Sequence, residues 1–278
     1  MSTYYKVLPE DLICRGFQYH EGLNIDTNTI DEYECSYGLH FSDTKHIFNF
    51  CGYGAVIAEV ELPENAIVYH LSNQSKADKI ILKNLRPLWS IETIEALIQE
   101  GVIFEPYKNF MLYEAASRGC LDIVKYLVEH GADIHDGDYD TICCASKYGH
   151  LEIVEYLVEH GADIYAWDDY PLRWASYNGH FDVVKYLVEQ GSNIHTGHDF
   201  ALREASSSGH LDVVKYLIEQ GANIHAQDDE ALFSASKYGH LDVVKYLVEQ
   251  GANIHAYNNR AIRYAKTPEI KAYLKSIK

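Results

Sequence analysis

Fifteen histidines and six cysteines are the side chains of this sequence best suited to bind a metal or act as nucleophiles. A metal site needs several such ligands converging within about 2 Å of one ion. The histidines instead recur singly. His150, His180, His210 and His240 stand 30 residues apart, and His135, His195, His225 and His255 form a second series. Stacked helix pairs lie about 10 Å apart, so a column of single imidazoles cannot close a metal site. The first series is therefore expected to make structural hydrogen bonds. The second falls at loop tips, exposed or within a binding surface. Cys14, Cys35, His40 and Cys51 are a looser set whose spacing matches no zinc pattern. Cys120, Cys143 and Cys144 complete the cysteines, none in a C-x-x-C, and free reduced thiols are expected. There is no Gly-rich phosphate loop, G-x-S-x-G or H-E-x-x-H. The expectation is a protein without metal, cofactor or catalytic residues, and hence not an enzyme.

The elements carrying these columns are an internal repeat. Gly-His occurs at Gly149, Gly179, Gly209 and Gly239, always 30 residues apart. Gly131, Gly161, Gly191, Gly221 and Gly251 open similar pentapeptides on the same step. So do Leu121, Leu151, Phe181, Leu211 and Leu241, which open near copies of Leu-Asp-Val-Val-Lys-Tyr-Leu. One unit predicts a short helix over about 201–207, with Leu202 and Ala205 on one face, and a second over about 211–220. Leu211, Val214, Leu217 and Ile218 stripe the second helix, and Val213 and Tyr216 widen the stripe. One helix pair cannot bury so wide an apolar surface, but a stack of pairs can.

This unit resembles the ankyrin repeat, whose period is 33 residues and whose signature is T-P-L-H-x-A. Tyr170-Pro171-Leu172-Arg173-Trp174-Ala175 is the nearest match, with the Gly-Ala-Asp/Asn-Ile segment and the Gly-His turn. The signature Thr is replaced by Asp140, Tyr170, Phe200, Glu230 or Arg260, so its capping role is lost or moved. The connector is about three residues short, which predicts truncated β-hairpin fingers. The 30-residue Val-Val-Lys-Tyr-Leu-Val-Glu variant resembles ankyrin proteins of giant amoebal viruses of the mimivirus type. Tyr4-Tyr5-Lys6-Val7-Leu8 and Gly16 to Asn24 resemble the head region of that group.

The expected fold is mainly α: an ankyrin solenoid preceded by a small α+β domain. The array is placed at residues 86–278, with a degenerate first repeat over about 86–105. Repeats follow at about 106–135, 136–165, 166–195, 196–225 and 226–255, then a shortened cap over 256–278 with a helix at 268–274. Residues 1–85 lack the period. Val56, Val60 and Leu62 alternate with Glu59 and Glu61 as in a half-buried strand; 67–69 and 79–82 are further strands. Residues 43–50 read as a short helix with Ile47 and Phe50 on one face. Gly38 to Ser42 is similar to the Gly-Ile-Tyr-Phe-Ser stretch of ADP-ribosyltransferases, and Arg15-Gly16-Phe17 to their first nicotinamide-site strand. That resemblance is short, and Glu59 and Glu61 are the only candidates for its closing Glu. The plain reading is a turn at Gly38 leading into a core strand.

Positions that differ between repeats mark where a partner would sit. One column of the first helix reads Tyr113, Cys143, Arg173, Arg203, Phe233, Arg263; the next reads Glu114, Cys144, Trp174, Glu204, Ser234, Tyr264. A third reads Lys147, Tyr177, Ser207, Lys237. The preceding turns vary too, and Trp, Tyr and Arg are the residues enriched at hot spots. The candidate protein-binding set is Trp167, Asp169, Tyr170, Arg173, Trp174, Tyr177, Phe200, Arg203, Glu204, Phe233, Lys237, Arg263 and Tyr264. Ankyrin resemblance implies that these face a concave recognition surface. A net charge of −18 argues against nucleic acid and anionic membrane and favours partners with basic patches. No signal peptide or apolar span is present, so a cytoplasmic monomer is expected, in host cytoplasm if viral.

Overall fold

A computed structural model describes residues 3–28, 38–137 and 140–277. The chain forms two compact units, Met1–Ala115 with Cys120–Asp133, and Ala116–Gly119 with Ile134–Lys278.

In the first unit the strands are β1 (Tyr4–Leu8), β2 (Ile13–Cys14), β3 (Phe17–Gln18), β4 (Gly22–Ile25), β5 (Leu39–Asp43), β6 (Val56–Glu61), β7 (Val68–His70), β8 (Ser75–Ala77) and β9 (Lys79–Pro87). Strands β4-β9-β6-β1-β5-β8-β7 make one sheet in that order, and every described pairing is antiparallel. Leu8, Leu39, Phe41, Ile80 and Leu82 are buried in its core. Gly38 does turn the chain into a core strand, β5. The alternation expected from Val56 to Leu62 is broken by an irregularity of register between Ile57 and Glu59. It places adjacent Ile57 and Ala58 both inside, with Val60. The helix expected over 43–50 is corrected too: β5 runs to Asp43, and a 3-10 segment spans Ile47–Tyr53. Its tighter winding buries Ile47 and Phe48 rather than Phe50.

Helix α1 (Ile91–Gln99) is capped by Ser90, whose hydroxyl accepts the Thr93 N–H. Just past its end, Glu100 takes both terminal nitrogens of Arg86, each at 3.0 Å, and the Tyr5 hydroxyl at 2.7 Å. Arg86 first, and then Tyr5, hold the Glu100 carboxyl below its usual range against a partial desolvation. Burial foremost, then Glu100, pushes the Tyr5 phenol up. Helices α2 (Lys108–Ser117) and α3 (Leu121–Glu129) follow.

The second unit contains α4 (Thr141–Tyr148), α5 (Leu151–Glu159), α6 (Ala166–Asn178), α7 (Phe181–Glu189), α8 (Thr196–Ser208), α9 (Leu211–Glu219), α10 (Ala226–Tyr238), α11 (Leu241–Glu249), α12 (Ala256–Arg263) and α13 (Pro268–Ser276). They pack in two rows. First helices run α4, α6, α8, α10, α12, and second helices run α5, α7, α9, α11, α13, in sequence order. The repeat's stripe is what the rows bury. Val213, Val214 and Leu217 are fully enclosed, as are their equivalents Val243, Val244 and Leu247. Each such side chain contributes roughly 1.5–3 kcal/mol. Leu211, Tyr216 and Ile218 are only half-buried at the edge.

The expected β-hairpin fingers are not what joins successive repeats. Among the described residues of the second unit there is no strand. Three consecutive left-handed residues fill the connector instead: Trp167-Asp168-Asp169, Gly197-His198-Asp199, Gln227-Asp228-Asp229 and Tyr257-Asn258-Asn259. A left-handed conformation costs about 1–2 kcal/mol for most residues and least for Gly, Asn and Asp, which fill the third position of every connector as Asp169, Asp199, Asp229 and Asn259. A short connector reverses direction this way where a hairpin would need more chain.

Candidate functional site

The Gly-His series is structural. Each imidazole Nε2 lies against the carbonyl that ends the preceding first helix: His180 on Lys147 at 2.9 Å, His210 on Tyr177 at 3.1 Å, His240 on Ser207 at 3.0 Å. The loop-tip series is partly exposed, and its Nδ1 atoms meet side chains four residues on, His195 with Asp199 and His225 with Asp229. No three His, Cys, Asp or Glu side chains gather as a metal site among the described residues. Cys35 lies outside the described residues. Burial first, then Asp140, pushes the Cys143 thiol far above its usual range, which leaves it a poor nucleophile.

The varying positions converge. Tyr170, Arg173, Trp174 and Tyr177 on α6 meet Phe200 and Glu204 on α8 around a cleft of about 260 Å³. Helical spacing aligns Tyr170, Arg173, Trp174 and Tyr177 on one side of α6. The Arg173 guanidinium stacks between two rings, 4.3 Å from Tyr170 and 3.8 Å from Phe200. Trp174 and Tyr177 meet edge to face at 5.9 Å, with the Lys147 ammonium 4.8 Å above the indole. Desolvation foremost raises the Glu204 carboxyl above its usual range, against the pull of Arg203 and Arg173. A neighbouring hollow continues from Tyr177 and Glu204 to Arg203, Tyr238 and Lys266.

Further along, Phe233 is buried under the Arg260 guanidinium at 3.4 Å and meets Tyr264 edge to face at 6.0 Å. Lys237 lies 5.8 Å from the Phe233 ring, and Arg263 lies 5.5 Å from that of Tyr264. Trp167 is 63% exposed but stands on the connector, apart from the residues that line the cleft. Asp169 is not on the surface: it is 4% exposed, and its carboxylate accepts the Asn193 N–H at 2.9 Å and the Thr196 hydroxyl at 2.7 Å. Where the signature position is Asp140 its capping role is kept, since that side chain accepts the Cys143 N–H at 3.1 Å; Asp169 instead holds the next repeat's loop. Sequence reasoning missed Tyr238 and Lys266. Tyr148, Asn178, Ser208 and Tyr238 are a further varying column that would have flagged Tyr238.

Residues 172–258 match the family "Ankyrin repeats (3 copies)", 142–188 match "Ankyrin repeats (many copies)" and 108–139 match "Ankyrin repeat". Residues 2–99 match "Domain of unknown function (DUF7666)". An ankyrin repeat protein of Acanthamoeba polyphaga mimivirus, R868, is 30% identical over 145 residues, covering 49% of this chain and 71% of that protein. A second from the same virus, R896, is 34% identical over 147 residues, 50% of this chain and 44% of its own length. Uncharacterized protein R869, also from that virus, is 32% identical over 136 residues, 46% of this chain and 99% of its own. The chain belongs to the ankyrin repeat family, and an array of this kind is a protein–protein interaction module. No helix among the described residues is long and apolar enough to cross a membrane.

Proposed function

We propose that this chain captures one partner protein on the first-helix face of an array counted from residue 86, without catalysing a reaction on it. The observation that carries this reading is the convergence of positions that vary between repeats into one aromatic and cationic cleft, while buried scaffold positions stay constant. The similarity to mimivirus proteins supports a viral protein; action as a monomer on host proteins in the host cytoplasm, with neither nucleic acid nor membrane as its target, belongs to the same proposal. Trp174→Ala with Tyr177→Ala tests it. Partner capture by the full chain should fall at least tenfold while the thermal melt stays nearly unchanged. A collapse of the melt, or full capture, would count against the cleft.

The alternative is an ADP-ribosyltransferase-like head aimed by the repeats. Its support is the short resemblance over Gly38 to Ser42, most of which lies in β5. Arg15 and Gly16 form the turn between β2 and β3, outside the seven-stranded sheet. Glu59 and Glu61 take Asn84 and Lys83. Transfer of label from nicotinamide dinucleotide to protein by the full chain would favour this alternative.

A further inference from the structure

Strand β4 (Gly22–Ile25) stands at one edge of the seven-stranded sheet, with β9 as its neighbour there. The register sets Gly22 against Leu82, Leu23 against Ile81, Asn24 against Ile80 and Ile25 against Lys79. The Asp26 N–H continues it onto the Asp78 carbonyl at 2.8 Å. Antiparallel pairs alternate between exchanging hydrogen bonds and not exchanging them. Since Asp26 bonds inward, so do Asn24 and Gly22, and the N–H and C=O of Leu23 and Ile25 point off the edge. Among the described residues none pairs with those outward groups. The side chains of the same two residues are open as well: Leu23 is 48% exposed and Ile25 50%, while Asn24 between them is buried. The Asn24 amide accepts the His20 N–H at 3.0 Å and donates to the His20 and Gly22 carbonyls at 2.8 and 2.9 Å, which fixes the entry to the strand. Folded proteins shield a free edge with Lys, Pro or a bulge, and β4 has none of these.

We propose that this edge takes the same edge of a second copy of the chain, the two β4 strands running antiparallel about a two-fold axis at Asn24. The unpaired groups select that register. It sets Leu23 against Ile25 of the second copy, so each outward N–H meets an outward C=O and each aliphatic side chain lies beside another. It also sets Gly22 against Asp26 and Glu21 against Thr27, so no two carboxylates stand opposite each other. An axis at Leu23 would put Ile25 against Glu21, and an axis at Ile25 would put Leu23 against Thr27; both split the aliphatic pairs. The contact uses the same patch on both copies and closes after two of them, which leaves no template for further growth. A four-residue strand makes a small contact beside the roughly 1,200–2,000 Å² of stable interfaces. The monomer is therefore the dilute form, and the pair forms as concentration rises. Pairing joins two repeat arrays in one assembly, wherever each array holds its partner.

The test is sedimentation and amide exchange of the full chain from micromolar to millimolar concentration. The mass should rise towards that of a dimer, and exchange at the Leu23 and Ile25 amides should slow at least tenfold as it does. The Asn24 and Asp26 amides, already bonded inward, should change little. This readout needs no variant. Ile25→Pro removes an outward donor and leaves the β4–β9 ladder intact. Leu23→Lys with Ile25→Lys sets like charges against each other across the axis. Both should weaken pairing at least tenfold, with the melt of the dilute chain nearly unchanged. A mass that stays monomeric to millimolar concentration overturns the proposal. So does a dimer whose Leu23 and Ile25 amides exchange as fast as in the monomer, or full pairing by the folded Lys variant. A synthetic peptide of residues 20–28 should protect the same two amides. Equal protection by an unrelated alternating Val-Thr peptide would make the edge a general strand acceptor and overturn the second copy as its occupant.

Discussion

Glu204 sits where a partner would have to approach, and its surroundings make it costly. A carboxyl whose folded value is raised by desolvation favours the protonated form in the fold. Its unfavourable contribution is absent below the ordinary carboxylate value of 4.5, grows as pH rises from there to the raised folded value, and is complete above it. Glu204→Gln is therefore expected to raise the melting temperature at pH 7, with the gain fading towards pH 4. An equal gain at both pH values would refute the desolvation argument. Asp169 shows the opposite assignment: a connector acid that reads as surface decoration is committed to Asn193 and Thr196. Asp199 and Asp229 accept the Asn223 and Asn253 N–H groups, each at 2.8 Å. From residue type alone, Asp168 and Asp169 are indistinguishable; the left-handed turn aims one out and the other in.

At the scale of the element, the Gly-His dipeptide is half a contact, completed by the repeat that follows. Gly209 ends α8 at φ 83°, and a Cβ there would stand 2.3 Å from the His240 ring. That imidazole needs the space to reach the Ser207 carbonyl. Gly209→Ala should cost more than about 2 kcal/mol, combining left-handed strain with displacement of the ring, as measured by denaturant unfolding. A loss under about 0.5 kcal/mol, within the range of an ordinary surface change, would show that the imidazole moves freely. The helices were legible because a period near 3.6 and a repeat of 30 both survive in the sequence. The connectors were not. Three residues in the left-handed region leave no hydrophobic period, and their Asn, Asp and Gly content is shared with ordinary turns.

For the whole molecule, stability of the repeat unit is a sum of repeats and nearest-neighbour interfaces. Ile270 and Leu274 on α13 are fully buried, and the Lys266 N–H donates to the Ser236 carbonyl at 3.0 Å, tying the segment before α13 to α10. Leu274→Ala should cost about 3 kcal/mol. Amide exchange should speed up in α11 to α13 and remain unchanged in α4 and α5. Uniform acceleration across the unit would mean that it unfolds all at once.

What the sequence determined by itself was the 30-residue helix-pair period and the deepest positions of its stripe, Val214 and Leu217, because these follow from local periodicity repeated until neighbours must shield one another. It also supplied the residues of the cleft, since scaffold and decoration separate when copies are compared. Only the tertiary structure decided which decorations meet. Arg173 and Phe200 come from different repeats, and the distance between them depends on how one helix seats against the next. The same holds for the inward turn of Asp169, because its partners are brought to it by the way the next repeat's loop is seated.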